Sequence, residues 1–188
     1  MLKKGRKNAV LLAIDECGFK EQPLRKRTWA IRGQTSVLRQ NGSWKTLTAI
    51  GAISLQPSGR LNEQFQLLAH TAKTMDFVWF LRKMRNRYRQ KLLVVWDNLK
   101  AHRCAAQLLQ SLGVSWVEFV WLPSYSPELN PVEWLWNNTK YHELANYAPP
   151  DSDTLRTKVA QSLSRPKKNP SLLRSFFRGA GLRINPKT

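Results

Sequence analysis

The sequence predicts a mixed α/β domain, and two patterns carry this prediction. Strand-like runs separated by turn residues occupy the first third of the chain, and helical patterns alternate with short apolar runs after it. The chain has 188 residues, of which 42% are hydrophobic and 23% charged, so it is long enough to bury a core and too apolar to be disordered. We expect one domain whose sheet combines an antiparallel meander with parallel strands joined by crossover helices.

The first third of the chain is expected to form strands. Residues 9–14 are continuously apolar, as in a central strand that is buried on both faces. Residues 35–39 and 46–55 are predicted as two strands joined through Asn41 and Gly42, which is a strong hairpin-turn signal. The further elements predicted in this part are a basic loop at 20–27, a turn at 57–60 and a strand at 64–68.

The rest of the chain is expected to alternate helices and strands. Helices are predicted at 74–89, 101–112, 131–147, 151–163 and 169–178, strands at 92–96 and 116–122, and a basic tail at 183–188. Thr74 or Asp76 can cap the first of these helices. Gly113 is expected to end the second, and Asn130 followed by Pro131 is a favourable start for the third.

The charge of the chain suggests a polyanionic partner. Lys and Arg total 31 against 12 acidic residues, which gives a formal net charge of +19. Basic side chains placed on phosphates release condensed counterions, so a surplus of this size favours nucleic acid. Ribosomal proteins and basic membrane-binding proteins share this signature, so charge alone names no function.

Several other classes of protein are disfavoured. Cys17 and Cys104 have no partner close in sequence, and neither CxxC pairs nor Cys/His zinc spacings occur. No apolar stretch reaches the roughly 18 residues that a membrane span needs, and the apolar run after the basic start is too short for a signal peptide. We expect reduced thiols, no membrane association and a cytoplasmic protein.

Three acidic residues stand where a catalytic site would form. Asp15 and Asp97 each end an apolar run predicted to be a central strand, and Glu133 lies in the first turn of a later helix. Sites in open α/β sheets form at the carboxyl ends of strands, so the three carboxylates can meet at one edge. Carboxylates suit Mg²⁺, which keeps waters or substrate phosphates in the rest of its shell. The pattern indicates a metal-dependent site that cuts or joins nucleic acid.

Structural roles are open for the same acids. An Asp at a strand end often only caps a turn, and Asn130 with Glu133 resembles a capping box, in which the glutamate bonds back to the helix start. Glu16 and Glu128 are neighbouring acids that spacing alone does not exclude.

A longer motif resembles a known family, the mariner-type DDE transposases, and most of all their bacterial insertion-sequence branch. The matching segments are, in chain order, residues 14–16, 29–33, 51–52, 96–98, His102 and 122–133. The resemblance covers roughly residues 9–147, and the run from Tyr125 to Glu133 is its most specific part. Ser124 stands where the family more often has proline.

The resemblance implies a fold, a catalytic site and a partner. The fold is ribonuclease-H-like, an α/β arrangement with a mixed five-stranded sheet flanked by helices. The implied catalytic triad is Asp15, Asp97 and Glu133, which would bind two Mg²⁺ ions, with Mn²⁺ as a substitute. Family members cut DNA at transposon ends and join the freed 3′-hydroxyl to target DNA. We therefore expect a DNA-binding enzyme of the bacterial nucleoid that acts as a homo-oligomer.

Other residues are candidates for supporting roles. Asn98, His102 and Asn130 are candidates for contacts behind the triad, although an Asx turn for Asn98 and helix-start packing for His102 are also open. Trp136 falls at a core position of its predicted helix. The candidate phosphate contacts are Arg25, Lys26, Arg27, Arg82, Arg85, Lys167 and Lys168.

Few residues precede the first predicted strand, whereas transposases of this family usually carry N-terminal helix-turn-helix modules. We expect the domain 1–188 to lack such a module, which a separate polypeptide would then supply. Two alternatives to a working transposase domain stay open. One is a catalytically inactive, basic DNA-binding remnant of a decayed insertion element, and the other is a different ribonuclease-H-like nuclease, such as one acting on RNA–DNA hybrids.

Overall fold

Five strands form one mixed sheet at the centre of the protein. The computed structural model describes residues 8–35, 37–39, 45–182 and 184. The strands are β1 (Val10–Lys20), β2 (Thr46–Leu55), β3 (Leu61–Leu68), β4 (Leu92–Trp96) and β5 (Val117–Trp121), in the spatial order β3-β2-β1-β4-β5. β1, β2 and β3 form an antiparallel meander, and β4 and β5 extend it in parallel. The fold class expected from the sequence is confirmed.

Five α-helices follow the meander or connect the parallel strands. They are α1 (Thr74–Tyr88), α2 (Lys100–Ser111), α3 (Pro131–Asn138), α4 (Ser152–Ser164) and α5 (Pro170–Gly179). The helix predicted at 131–147 is wrong in its second half, because the regular helix stops at Asn138 and continues as a π-helical turn, Thr139–Glu143. None of the helices in the described ranges is both long and apolar enough to cross a membrane.

The helices cover both faces of the sheet and divide the core in two. Successive side chains of a strand point to opposite faces. On β1, Leu12 and Ile14 pack with α1 and α2, whereas Ala13 and Cys17 pack with α3, α4 and α5. Asp15 and Glu16 follow on the same strand, so their side chains point to opposite faces of the sheet.

β1 is longer than the apolar run that predicted it. It continues to Lys20, so Asp15 lies inside the strand and not at its end, contrary to the sequence prediction. The parallel pairing with β4 stops at Ala13, and from there on β1 pairs only with β2. A strand with one neighbour is partly open to solvent and can alternate apolar with polar residues, which is why the apolar run ends before the strand does.

The strand predicted at 35–39 is absent from the part of that segment that the structure describes. β2 pairs with β1 on one side and with β3 on the other, so it has no free edge for another strand. The apolar residues of this segment, Val37 and Leu38, are instead exposed. The predicted turn at Asn41 and Gly42 lies outside the described residues.

The turn at 57–60 is confirmed, with Gly59 at a φ of +83°, and the strand after it begins earlier than predicted, at Leu61. At the start of α1, the backbone N–H of Lys73 donates to Oδ2 of Asp76 at 2.8 Å, so the predicted capping role of Asp76 is confirmed and that of Thr74 is not.

Candidate active site

A cleft of about 470 Å³ opens where the pairing of β1 with β4 ends. Asp15 reaches it from β1, Asp97 from the residue after β4, and Glu133 from the first turn of α3. The remaining wall consists of residues 98–99, 122–127 and Asn130. The fold thus brings together the three acids that the sequence singled out, whereas Glu128 is exposed outside the cleft.

Asp15 is held from the α3 side of the sheet. Its side chain is buried, and its Oδ2 accepts a hydrogen bond of 2.9 Å from Nε1 of Trp136. The Trp136 ring lies over Gly51, the residue of β2 that pairs with Asp15, and a Cβ at Gly51 would come within 2.4 Å of that ring. Glycine at this position therefore makes room for the indole that orients Asp15.

Asn130 connects the start of α3 to β1. Its Oδ1 accepts a hydrogen bond from the N–H of Val132 at 3.2 Å, and its Nδ2 donates to the carbonyl of Ile14 at 3.1 Å. These bonds fix the turn that carries Glu133 against the strand that carries Asp15. Among the described residues of this turn, Glu133 does not complete a capping box with Asn130. Its carboxylate interacts with Asp15 instead.

His102 bridges Asp97 and Glu16. Its Nδ1 lies 2.5 Å from Oδ1 of Asp97, and its Nε2 lies 3.0 Å from Oε2 of Glu16. The imidazole is fully buried and stacks on Trp96, with 4.2 Å between the ring centroids. Burial disfavours the imidazolium, but the hydrogen bonds with Asp97 and Glu16 prevail and raise the pKa of His102. His102 therefore packs at the start of α2 and positions Asp97 at the same time.

The three carboxylates of the cleft have different affinities for protons. Burial raises the pKa of Asp15 well above its ordinary value, and the charges of Glu133 and Glu16 raise it further. Burial also raises the pKa of Glu133. In contrast, the hydrogen bond with His102 lowers the pKa of Asp97. The charge of Glu133 thus disfavours the ionised form of Asp15, an effect that a bound cation would relieve.

The donor set of the cleft fits a hard divalent cation. Carboxylate oxygens are the ligands that Mg²⁺ prefers, and no Lys or Arg within the described ranges lines the cleft to compete for them. Both hydrogen bonds that the structure gives Asp97 end on Oδ1, which leaves Oδ2 for a cation. Within the described ranges, no three acidic, His or Cys side chains already surround one point as metal ligands would.

The loop between β5 and α3 forms the outer wall of the cleft. Asn98 holds this loop, because its Nδ2 donates to the carbonyl of Leu122 at 2.8 Å while its Oδ1 accepts from Arg103 at 2.7 Å. The Asx turn considered for Asn98 is made by Asp97, whose Oδ1 accepts from the N–H of Leu99 at 3.0 Å. Asn98 therefore acts on the shape of the wall and not on its own backbone.

The candidate phosphate contacts lie on three separate surfaces, and none of them lines the cleft. The groups are Arg82 and Arg85 on α1, Lys167 and Lys168 between α4 and α5, and Arg25, Lys26 and Arg27 after β1. In the third group, Lys26 is fixed, because its Nζ donates to the carbonyl of Tyr141 at 3.1 Å and its N–H donates to Oδ1 of Asn146 at 2.7 Å.

Sequence reasoning missed three features of the site. The core position of Trp136 was predicted, but its hydrogen bond to Asp15 was not, and the reason for glycine at position 51 was not visible. Glu16 was noted as a competitor of Asp15, whereas its side chain contacts His102 on the other face of the sheet. The alternation of side chains along a strand is the signal that separates Asp15 from Glu16, once the strand is known to continue past both.

Known proteins resemble this chain in sequence pattern and in fold. A family model of the DDE superfamily endonucleases matches residues 10–156, which run from β1 into α4 and include the whole cleft. No curated protein sequence matches the chain significantly.

Solved structures of Mos1 transposase share the fold. The Mos1 transposase paired-end complex with the left transposon end matches with a TM-score of 0.57 and 19% identity, over 97% of this chain and 58% of that one. The Mos1 strand transfer complex matches with a TM-score of 0.58 and 18% identity, over 95% and 52% of the two chains. The mariner Mos1 paired-end complex with Mg matches with a TM-score of 0.58 and 19% identity, over 91% of this chain and 51% of that one.

The present chain thus spans a little over half the length of each of these transposases. At these identities the structural likeness establishes the fold, and the family model, which matches well over half of the chain, establishes the family. The chain belongs to the DDE superfamily endonucleases.

Proposed function

We propose that this chain is the catalytic domain of a transposase of the bacterial insertion-sequence type, which cuts DNA at transposon ends and joins the ends to target DNA. The observation that carries the proposal is the meeting of Asp15, Asp97 and Glu133 in one cleft of a DDE endonuclease domain. The similar Mos1 structures support it, because they include a complex with a transposon end and a strand transfer complex.

The proposed catalytic triad is Asp15, Asp97 and Glu133, with two Mg²⁺ ions, or Mn²⁺ in their place, as the cations that it binds. When bound, such ions activate the attacking oxygen and stabilise the leaving oxygen in phosphoryl transfer. Asp97, whose pKa is lowered by His102, is ionised before a cation arrives. Burial raises the pKa of Asp15 and of Glu133, and a bound cation would favour the ionised form of both.

The proposed substrate is DNA, which suits the net charge of +19. Arg25, Lys26 and Arg27 are proposed to contact phosphates of the strand nearest the cleft, while the groups at Arg82 and Arg85 and at Lys167 and Lys168 contact DNA on other sides of the domain. The active complex is proposed to contain more than one copy of the protein and to act at the bacterial nucleoid. Recognition of the transposon ends is assigned to a separate DNA-binding module.

Nicking of supercoiled plasmid in Mn²⁺ tests the proposed chemistry. We expect Asp97→Asn to lower the nicking rate by roughly 100-fold or more, because it removes charge that the transition state requires. Asp153→Asn is the matched control, since Asp153 is an exposed acid on α4 outside the cleft. Equal nicking by the two variants would contradict the assignment.

Calorimetric titration with Mn²⁺ tests the site without catalysis. Asp15→Ala and Asp97→Ala, each shown to be folded, are both expected to abolish binding.

Two other outcomes identify the alternative functions. DNA binding without nicking in any metal would indicate an inactive remnant, and preferential cutting of RNA–DNA hybrids would indicate another nuclease of this fold.

A further inference from the structure

A second cavity, of about 370 Å³, lies beside the carboxylate cleft on the α3 side of the sheet. It is enclosed by the end of β1, the segment after it, the π-helical turn Thr139–Glu143 and α4. Its lining includes Phe19, Lys20, Lys140, Tyr141 and Tyr147, and among the described residues no Asp or Glu lines it. Such a lining is suited to a ligand that combines a planar ring with a separate negatively charged group.

β1 connects this cavity to the cleft. Asp15, Cys17 and Phe19 alternate along the strand and point to the same face of the sheet. At about 3.3 Å per residue, Asp15 and Phe19 are roughly 13 Å apart. About four stacked nucleotides of one DNA strand span that distance, at 3.4 Å each. Because Cys17 and Phe19 are buried under α3, a DNA strand that reaches both sites would pass outside β1, over the π-helical turn that carries Lys140.

Lys140 lies between the two sites. Its Nζ lies 5.6 Å from the centre of the Phe19 ring, inside the second cavity. Its charge also favours the ionised form of Glu133, in the carboxylate cleft. The phosphates of a strand that crosses from one site to the other would pass this ammonium group.

The cavity is built by hydrogen bonds and by an irregular helix. Asn146 pins the segment after β1, because its N–H donates to the carbonyl of Leu24 at 2.9 Å and its Nδ2 donates to the carbonyl of Lys26 at 2.9 Å. The π-helical turn places Lys140 and Tyr141 on the cavity wall. Single π-helical turns occur frequently at functional sites.

We propose that this cavity binds one unpaired nucleotide of the DNA strand that occupies the carboxylate cleft. The base stacks on the tyrosine rings, and the adjacent phosphate contacts Lys20 and Lys140. This inference rests on the proposed function, since it takes the substrate to be DNA. It adds a subsite that holds one strand away from its complement close to the reacting phosphate.

The test uses single-stranded oligonucleotides that carry 2-aminopurine at successive positions, titrated with the full chain in Ca²⁺. We expect the fluorescence of 2-aminopurine to change at one or two adjacent positions. In the variant Lys20→Gln/Tyr141→Ala, we expect that fluorescence change to vanish. We expect the dissociation constant to rise roughly 10-fold, because one stacked base and one phosphate contact are lost. Both side chains are solvent-accessible, so the double variant is expected to fold.

The matched control is Lys91→Gln/Leu112→Ala, an exposed lysine before β4 and an exposed leucine after α2, neither of which belongs to the proposed DNA contacts. We expect this control to bind within about twofold of the wild type, and Tyr141→Phe, which keeps the ring, to bind like the wild type. Equal weakening in the control and the cavity variant, or no position-dependent fluorescence change, would overturn the subsite.

Plasmid nicking separates failure of the subsite from failure of the proposed function. If Asp97→Asn nicks like the wild type, the proposed function fails whatever the oligonucleotides show. If Asp97→Asn is inactive while the cavity variant binds normally, only the subsite fails.

Discussion

Asp15, Asp97 and Glu133 share a cleft, but each has different partners. Asp15 accepts a hydrogen bond from an indole, Asp97 accepts one from an imidazole, and Glu133 lies in the first turn of a helix. These partners belong to different faces of the sheet, because Trp136 is on α3 and His102 is on α2. The orientations of Asp15 and Asp97 are therefore controlled from opposite faces of the sheet.

His102→Ala is expected to weaken Mn²⁺ binding by roughly 10-fold, the usual effect of removing a residue that orients a metal ligand. Without the imidazole, Asp97 loses its strongest hydrogen bond and Glu16 loses its partner. Calorimetric titration measures the change. His102→Asn, which can still donate to Asp97, is expected to recover much of the affinity.

His70→Ala is the control for this measurement, because His70 is an exposed histidine outside the cleft. If folded His102→Ala binds Mn²⁺ as tightly as His70→Ala does, His102 packs in the core but does not position Asp97 for the metal.

The identities of the three acids could be predicted from the sequence, but their partners could not. An acid after an apolar run is visible in one dimension, since the run reports burial. The contacts of Asp15 with Trp136 and of His102 with Glu16 join residues that are far apart in sequence and meet only because of the strand order. Periodicity alone contains no information on such pairs.

At the scale of elements, β1, β2 and α3 meet at one tightly packed point. Gly51 on β2 lies opposite Asp15 on β1, and the Trp136 ring of α3 fills the space above the glycine. The strand pair and the helix therefore set the position of Asp15 together.

Gly51→Ala is expected to destabilise the protein by about 1–3 kcal/mol, the usual cost of overpacking a core. The new methyl would lie 2.4 Å from the Trp136 ring, so the indole must move away and its bond to Asp15 must break. Urea denaturation measures the loss. Adding Trp136→Phe removes the ring atoms in the way, so the double variant is expected to lose less than the sum of the single effects.

Gly18→Ala is the matched control, because its methyl would meet only a Thr46 methyl group, at 3.3 Å. A loss of stability in Gly51→Ala no larger than in this control would contradict the packing argument.

Helices and strands with clear patterns were predictable to within one or two residues, and the exceptions have physical causes. α1, β2 and β4 follow from their apolar spacing: β2 and β4 have their predicted bounds, and α1 ends one residue earlier than predicted. The prediction of a strand at 35–39 was wrong because strand propensity does not reveal whether a sheet edge is free. The π-helical turn after α3 was not predicted because one inserted residue leaves the apolar spacing of a helix almost unchanged.

At the scale of the whole molecule, β3 forms one edge of the sheet and carries a buried acid. Glu63 is 3% exposed, and its Oε2 has no hydrogen-bond partner among the described residues. Burial raises the pKa of Glu63 from 4.5 to about 7, although the charge of Lys167 opposes the shift. Ionised Glu63 is therefore a cost to the folded state.

The free energy of unfolding is expected to fall between pH 4.5 and pH 7. In this range the native state keeps the Glu63 proton and the unfolded chain has lost it, so stability is highest below the range and decreases as the pH rises through it. The total effect is roughly 3 kcal/mol at most. Urea denaturation at pH 5 and pH 8 measures it.

Glu63→Gln is expected to remove most of this pH dependence. Glu128→Gln, at an exposed glutamate, is expected to keep it. The same pH dependence in both variants would mean that other groups cause it.

The position of β1 between β2 and β4 also determines when the cleft can assemble during synthesis. The meander joins strands that are neighbours in sequence, so it can form early on a nascent chain. The pairing of Val10 with Leu92 must wait until α1 and β4 have left the ribosome, and Glu133 arrives later still with α3. The cleft therefore acquires its third carboxylate only after all five strands of the sheet have left the ribosome.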